Sequence, residues 1–220
     1  MKNCIFVACP MIEKEVEFVL KTDGFPYPVI FLPPDLHKSP EELHKYLQAF
    51  IDRTRNVDTI MLSVARCGNS TVGLKATTAN LVIPKCDDCI DLLLSTQGFH
   101  SLKRPERSCF FTESWLKYMG DFEFSFAALM EHYGEGSAVD VARTMFQGLH
   151  DFYVVDTGVF PVPPVKDYIR PLAKVIGAEI KVIPGSFWVL RKMMSMEIDD
   201  DFIVIPRGNI VREQDFTFYK

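Results

Sequence analysis

Cysteine and histidine side chains follow several predicted strands in the first half of the chain, and both residue types bind soft metal ions. The stretch 59–94 is central, because it contains two cysteine-bearing turns that each end a strand. Parallel strands end at one edge of a sheet, so we expect these side chains to share a rim. Thiolates and imidazoles are the usual ligands of Zn²⁺, and thiolates hold iron–sulfur clusters. The alternative is that each cysteine is a small core residue. The candidate metal ligands are Cys9, His37, Cys67, Cys86 and Cys89.

The motif Cys86-Asp87-Asp88-Cys89 has CxxC spacing but stands alone in the chain. A structural zinc ribbon needs a second pair at similar spacing, which the sequence lacks. A redox CxxC lies at a helix start after a strand, as predicted here, and that position lowers a thiol pKa. The two intervening aspartates act in the opposite direction, because nearby negative charge raises a thiol pKa. The motif therefore favours metal binding over redox catalysis.

Two glycine-containing turns are candidates for binding an anionic ligand through backbone N–H groups. The turn after Cys67 resembles an anion-binding turn but lacks the glycine fingerprints of nucleotide sites. The turn at 184–186 precedes a predicted helix, whose N-terminus attracts anions. Glycines that only permit positive φ, and an ordinary N-cap, are the alternative explanations. With one carboxylate and one aromatic residue that suits a pocket wall or a core equally, the candidate ligand-binding residues are Gly68, Asn69, Asp88, Trp115, Gly185 and Ser186.

Short apolar runs alternate with amphipathic helices in the first half of the chain. One helix follows Pro10, a second begins at Pro40 behind the N-cap Ser39, and a third opens near Asp87. The connections are too long for hairpins, which indicates a parallel sheet with right-handed crossovers. The predicted strands of this half span 3–8, 29–32, 58–64 and 80–83.

The second half has the same alternation, without a low-complexity linker before it. Its predicted strands are 107–112, 151–156, 179–183 and 202–205, and its predicted helices are 113–119, 122–132, 137–149, 163–176 and 185–196. We therefore predict an α/β protein of three layers, with mainly parallel sheets in two interleaved lobes that border a cleft. The predicted division is a lobe of residues 1–96 with the Cys/His motifs and a lobe of residues 97–220; one single domain is the alternative.

Composition and charge limit the classes of partner. The chain has 24 Lys and Arg against 29 Asp and Glu, a net charge of −5, and no basic run, which argues against nucleic acid and anionic membranes as partners. The N-terminal apolar run is too short for a signal peptide or a membrane span. We therefore predict a cytoplasmic protein whose cysteines are thiols or metal ligands rather than disulfides. A small-molecule partner is expected, and homo-oligomerisation is left open.

These motifs together resemble the DUF1638 family, a family of unknown function. The resemblance begins at Ala8-Cys9, spans nearly the whole chain, and is most specific in its cysteine motifs. Further along, a Thr-x-x-Trp element ends at Trp115, and the Asp-Thr-Gly at 156–158 and Pro-Gly-Ser at 184–186 fit the second half of the family pattern. The central motifs are Leu36-His37-Lys38-Ser39-Pro40, Cys67-Gly68-Asn69 and the segment 83–90 (IPKCDDCI).

The resemblance implies a role beside corrinoid-dependent methyltransferases of anaerobic bacteria and methanogenic archaea. It also implies that Cys9, His37, Cys67 and Cys89 form the metal set, because Cys86 is an extra thiol relative to the family pattern. A second departure is Ala65-Arg66, where the pattern has Tyr-Gly. The expected function is therefore a zinc or iron–sulfur protein in corrinoid-linked one-carbon methyl transfer, either as a methyltransferase or as its accessory. The alternative is a module that binds a small molecule or a corrinoid without metal and without catalysis.

Overall fold

A computed structural model of the chain describes residues 3–119 and 125–217. The strands are β1 (Cys4–Ala8), β2 (Val29–Phe31), β3 (Thr59–Leu62), β4 (Asn80–Pro84), β5 (Ser108–Phe111), β6 (Asp151–Asp156), β7 (Glu179–Pro184) and β8 (Phe202–Ile205). The α-helices are α1 (Glu13–Asp23), α2 (Pro40–Arg53), α3 (Cys89–Leu94), α4 (Glu113–Met119), α5 (Phe126–Tyr133), α6 (Glu135–Met145), α7 (Val162–Ile176) and α8 (Trp188–Met194). Short 3₁₀ segments occur at Pro10–Ile12, Pro34–Lys38, Phe99–Ser101 and Glu213–Phe216. The predicted helix start at residue 122 lies outside the described residues.

The chain forms two units that differ from the predicted division at residue 96. Unit 1 comprises residues 3–102 and 186–217 of the described chain, and unit 2 comprises residues 103–185. Residues 97–102 and the C-terminal segment therefore belong with the Cys/His motifs rather than with a separate C-terminal lobe. The return of the chain end to unit 1 makes the units interleaved in sequence.

Unit 1 is built on a five-stranded sheet with the order β2-β1-β3-β4-β8. The first four strands are parallel, and β8 runs antiparallel to β4. All five residues of β1 and all four of β3 are buried. Strands of a parallel sheet are covered by helices on both faces, which explains why these segments are apolar throughout. The predicted α/β class with mainly parallel sheets and flanking helices is confirmed.

Helix α2 shows how the sequence sets an element's start and its buried face. Ser39 Oγ accepts a hydrogen bond from the Glu42 backbone N–H at 3.3 Å, and Pro40 occupies the first helical position. Leu43, Leu47 and Ile51 follow at helical spacing and are buried. Burial of each such side chain stabilises the fold by about 1.5–3 kcal/mol.

The strand order creates a topological switch point beside β1. The chain leaves β1 for β2 on one side and then returns to β3 on the other side. Open α/β sheets bind their ligands outside the carboxyl ends of the strands at such a point. The carboxyl ends of β1 and β3 are therefore the expected place for a site in unit 1.

Unit 2 has its own parallel sheet, in the order β5-β6-β7. Its core includes Phe111, Phe152 and the buried face of α7. Gly177 ends α7 in the left-handed conformation, at φ 78°, which glycine adopts without strain. Among the described residues of both units, no helix is long and apolar enough to cross a membrane.

Candidate functional site

The predicted Cys/His residues follow the four parallel strands of unit 1 at one edge of the sheet. In the order of the strands, His37 follows β2, Cys9 follows β1, Cys67 follows β3, and Cys86 and Cys89 follow β4. Cys9 and Cys67 thus flank the switch point between β1 and β3. The rim expected from the sequence is therefore present, and its internal contacts decide which residues act together.

Cys9 connects the end of β1 to a helical segment. The Cys9 backbone N–H donates to Ser63 Oγ at 2.8 Å, and the Ser63 backbone N–H donates to the Val7 carbonyl at 2.9 Å. The 3₁₀ turn Pro10–Ile12 begins directly after Cys9 and continues into α1. The Cys9 sulfur therefore lies at the positive end of a helix dipole, which favours a thiolate.

The Cys9 sulfur is the acceptor on which several donors converge. The Cys89 thiol donates to it and is the largest cause of a lowered pKa; burial opposes this lowering, and His37 adds a hydrogen bond and its charge. The Met11 backbone N–H contributes a smaller lowering, without the alignment of a capping hydrogen bond. Together they lower the pKa of Cys9 to about 6. Roughly nine-tenths of Cys9 is then thiolate at pH 7.

Cys89 is the proton-bearing partner of this pair. It occupies the first position of α3, and the side chain of the preceding residue, Asp88, accepts hydrogen bonds from the N–H groups of Ile90 and Asp91 at 2.9 and 3.3 Å. The hydrogen bond to Cys9, followed by burial, raises the pKa of the Cys89 thiol well above its ordinary value. Cys89 therefore remains a thiol and stabilises the Cys9 thiolate.

Cys67 is a third, half-buried thiol at the same rim. Its backbone N–H donates to the Asp87 carbonyl at 2.7 Å, and the Arg66 N–H donates to the Cys86 carbonyl at 3.1 Å, so the two cysteine-bearing turns run side by side. Burial and the negative charge of Cys9 raise the pKa of Cys67. Cys67 is therefore a neutral neighbour of the charged sulfur.

Cys86 has a different local partner from Cys89. Its thiol donates to the Asp88 carbonyl at 3.5 Å. Burial, and next the charge of Asp91, raise its pKa well above the ordinary value. The two cysteines of the CxxC motif thus point to different acceptors, and Cys89 pairs with Cys9 instead.

The candidate ligand-binding residues of the first turn have structural partners. Cys67, Gly68 and Asn69 have φ of 43°, 64° and 70°, so three successive residues are left-handed. A Cβ on Gly68 would lie 2.9 Å from Pro40 Cγ, which makes glycine necessary there. Asn69 Oδ1 accepts a hydrogen bond from Arg66 Nε at 2.6 Å. Asp88 acts as the N-cap of α3.

The remaining candidates are not brought together with the first turn in one unit. Trp115 and Gly185 lie in unit 2: Trp115 packs edge-on against Phe111, and a Cβ on Gly185 would lie 2.4 Å from Thr157 Cγ2. Ser186 lies in unit 1, where its Oγ accepts a hydrogen bond from the Trp188 N–H at 3.1 Å. The packing and capping explanations therefore account for the contacts of these three residues.

Sequence reasoning missed two residues that support the rim. Ser63 holds the Cys9 backbone through its hydroxyl group. Arg66, noted only as a departure from the family pattern, contacts Asn69 Oδ1, donates to Glu213 Oε1 at 2.7 Å and lies 4.0 Å from Asp87 Oδ1. A positive charge next to Cys67-Gly68 was the available signal for Arg66, whereas a serine inside an apolar run gave none for Ser63.

The donor atoms suit zinc chemically, but their placement does not form a metal site. Within residues 3–119 and 125–217, no group of three or more His, Cys, Asp or Glu side chains is placed to hold a metal ion. Cys9 contacts His37 and Cys89 separately, and zinc needs at least three protein ligands in one shell. The predicted zinc or iron–sulfur centre at Cys9, His37, Cys67, Cys86 and Cys89 therefore stays a prediction.

Comparison with known proteins finds one family for most of the chain. A family model described as "Protein of unknown function (DUF1638)" matches residues 31–194, which include His37, Cys67, Cys86 and Cys89. Cys9 precedes the matched residues. No curated protein and no solved structure matches the chain.

Proposed function

Because the chain belongs to the DUF1638 family, which is described as a family of unknown function, we propose its function from the site itself: Cys9 is a nucleophilic thiolate that attacks a soft electrophile. One observation supports this above the others, namely the convergence of the Cys89 thiol and the His37 imidazole on the Cys9 sulfur at a helix start. A hydrogen-bonded thiolate beside a histidine is the arrangement of nucleophilic cysteines.

The proposed reaction is a displacement at the Cys9 sulfur. The sulfur lone pair forms a bond to the electrophilic carbon, and the bond from that carbon to its leaving group breaks with its electron pair. The charge that was on sulfur departs with the leaving group, so the hydrogen bonds from Cys89 and His37 weaken at the end of the step. Their donors are therefore available to orient the sulfur before attack rather than to hold the product.

The family resemblance suggests the electrophile. A methyl group on a good leaving group, as in corrinoid-dependent methyl transfer, is a soft carbon electrophile that a thiolate attacks. We therefore propose one-carbon methyl transfer as the substrate class. A cytoplasmic location is part of this proposal, because Cys9 and Cys89 must remain reduced for the reaction. A corrinoid protein or a small methylated molecule is the proposed partner.

Alkylation kinetics test the proposal. Reduced protein is treated with iodoacetamide from about pH 5 to about pH 10, a range that brackets both the lowered and the ordinary thiol pKa, and each cysteine is followed by peptide mass spectrometry. We expect Cys9 to react with an apparent pKa near its value of about 6. Cys109, whose pKa burial raises to about 11, is the internal control and reacts only at high pH. A Cys9 that titrates like an ordinary thiol, or does not react, refutes the proposal.

A second candidate is the binding of a thiophilic metal ion, which one observation favours: sulfur and nitrogen donors from the ends of β1, β2 and β4 meet at one atom. Removal of the two hydrogen-bonding protons leaves lone pairs on Cys89 and His37 that face the same region. Anaerobic titration of reduced protein with Zn²⁺ against a chelating dye tests it. About one equivalent bound by the wild type and none by Cys9→Ser supports the candidate; no competition with the dye refutes it. Without metal and without alkylation, the non-catalytic binding module remains.

A further inference from the structure

The closest thiol partner of Cys89 is on another strand end, not in its own motif. Cys9 and Cys89 are about 80 residues apart in sequence, yet the Cys89 thiol donates directly to the Cys9 sulfur. A thiol and a thiolate in direct contact are the two reactants of disulfide formation once one of them is oxidised. Carbon chemistry at Cys9 does not require this second sulfur.

The CxxC motif itself is not arranged as a redox pair. The Cys86 thiol donates to the Asp88 carbonyl at 3.5 Å. Asp88 in turn is held as the N-cap of α3 by the N–H groups of Ile90 and Asp91. A bond between Cys86 and Cys89 would have to break the contact of each thiol with its present acceptor.

Access to the pair limits the oxidant to a small molecule. Cys9 and Cys89 are 5% and 4% exposed, so a folded protein or a bulky disulfide does not reach either sulfur directly. His37, whose ring contacts the Cys9 sulfur, is exposed to solvent. Movement of this one side chain opens the Cys9 sulfur to a molecule of the size of a hydroperoxide.

We propose that Cys9 and Cys89 form a peroxide-reactive dithiol, with Cys9 as the attacking sulfur and Cys89 as the resolving sulfur. The Cys9 thiolate attacks one oxygen of a hydroperoxide ROOH, the O–O bond breaks, and RO⁻ leaves with the electron pair and takes a proton from water. Cys9 becomes a sulfenic acid. The Cys89 sulfur then attacks the Cys9 sulfur; its thiol proton and the departing hydroxide form water. Two thiols are oxidised by two electrons, and one hydroperoxide is reduced to an alcohol.

This inference uses the nucleophile of the proposed function but does not require its carbon substrate. The two fail differently: alkylation at an ordinary pKa refutes the first, whereas the position of a peroxide-induced cross-link decides the second. An oxidised pair also removes the Cys9 thiolate. The disulfide therefore switches off any group transfer at Cys9 until a small dithiol reduces it.

Peroxide titration followed by mass spectrometry tests the inference. Anaerobically reduced full-length protein receives about one equivalent of hydrogen peroxide; free thiols are then blocked with iodoacetamide, and the digest is mapped. We expect one Cys9–Cys89 linked peptide, with the loss of two hydrogen atoms, in the wild type and in the matched variant Cys86→Ser. Addition of a dithiol should restore both thiols.

The variant Cys89→Ser separates the two steps. It should lose the cross-link and accumulate Cys9 sulfenic acid, which a 1,3-diketone probe labels, because the attacking sulfur remains and the resolving sulfur is absent. A Cys109→Ser variant controls for thiols of unit 2 and should match the wild type. A linked peptide that joins Cys86 to Cys89, a link from Cys9 to Cys67, or a wild-type Cys9 that remains free after peroxide overturns the inference.

Discussion

Replacement of Cys89 by alanine should raise the pKa of Cys9 and slow its reaction at neutral pH. The shift from an ordinary 9.0 to about 6 corresponds to roughly 4 kcal/mol in favour of the thiolate. Burial acts against this, so the donors together supply more than the net figure, and the Cys89 hydrogen bond is the largest of them. A hydrogen bond to a charged group contributes about 1.5–3 kcal/mol. We therefore expect Cys89→Ala to raise the Cys9 pKa by about one to two units.

The assay is the pH dependence of Cys9 alkylation in the wild type and in matched variants. Cys89→Ser keeps an O–H donor at the same position, so its Cys9 pKa should lie between those of the wild type and of Cys89→Ala. Cys86→Ala removes the neighbouring thiol of the same motif and should leave the Cys9 pKa nearly unchanged, because Cys86 donates elsewhere. If Cys89→Ala shifts the Cys9 pKa by less than about 0.3 units, the assignment of Cys89 as the main donor is refuted.

The remaining predictions concern stability. The folded-state pKa of Cys9 is lowered, so its stabilisation is full above the unfolded pKa and is lost as pH falls toward about 6; the difference in unfolding free energy between the wild type and Cys9→Ser should therefore shrink by up to about 1.4 kcal/mol per pH unit between about pH 8.5 and pH 6, and a pH-independent difference contradicts this. Arg66→Ala should lower the unfolding free energy in urea by about 1–2 kcal/mol through loss of the bonds to Asn69 and Glu213, and an unchanged urea midpoint would disagree. Gly68→Ala should destabilise more than Gly24→Ala, by about 1–3 kcal/mol, because both have positive φ but only Gly68 has a side chain within 4 Å of the added Cβ; equal losses would argue against the Pro40 contact. Oxidation to the Cys9–Cys89 disulfide should raise the unfolding free energy by at most about 4–5 kcal/mol, since it closes a loop of about 80 residues, and Cys89→Ser should show no such gain.

The sequence predicts the shared rim well, because that prediction needs only strand ends and strand direction. Apolar runs marked β1, β3 and β4 within a few residues, and crossovers of helical length imply parallel pairing. The antiparallel direction of β8 could not be predicted, because a four-residue apolar run carries no information about its neighbour. The order of the strands is likewise a property of long-range packing rather than of local pattern.

The pairing within the site is the part that local spacing misrepresents. CxxC spacing suggests that Cys86 and Cys89 act together, yet the structure turns Cys89 toward Cys9. That contact depends on how the ends of β1 and β4 approach each other, and no short motif encodes this distance. Asp88 was more predictable than its assignment as a ligand-binding residue implied. An aspartate three residues before Asp91, at the start of an apolar run, is an N-cap signal that names a structural role.

The discontinuity of unit 1 has a consequence for how the protein is made. Strands β1 to β4 leave the ribosome first, but the outer edge of β4 pairs with β8, which is synthesised only after the whole of unit 2. During that interval β4 presents an apolar strand with an unpaired edge, the kind of surface through which nascent chains associate. Unit 2, by contrast, is continuous from residue 103 to residue 185 and has all its strands before β8 appears. The last unit to be completed during synthesis is therefore the one that begins the chain and contains the thiols.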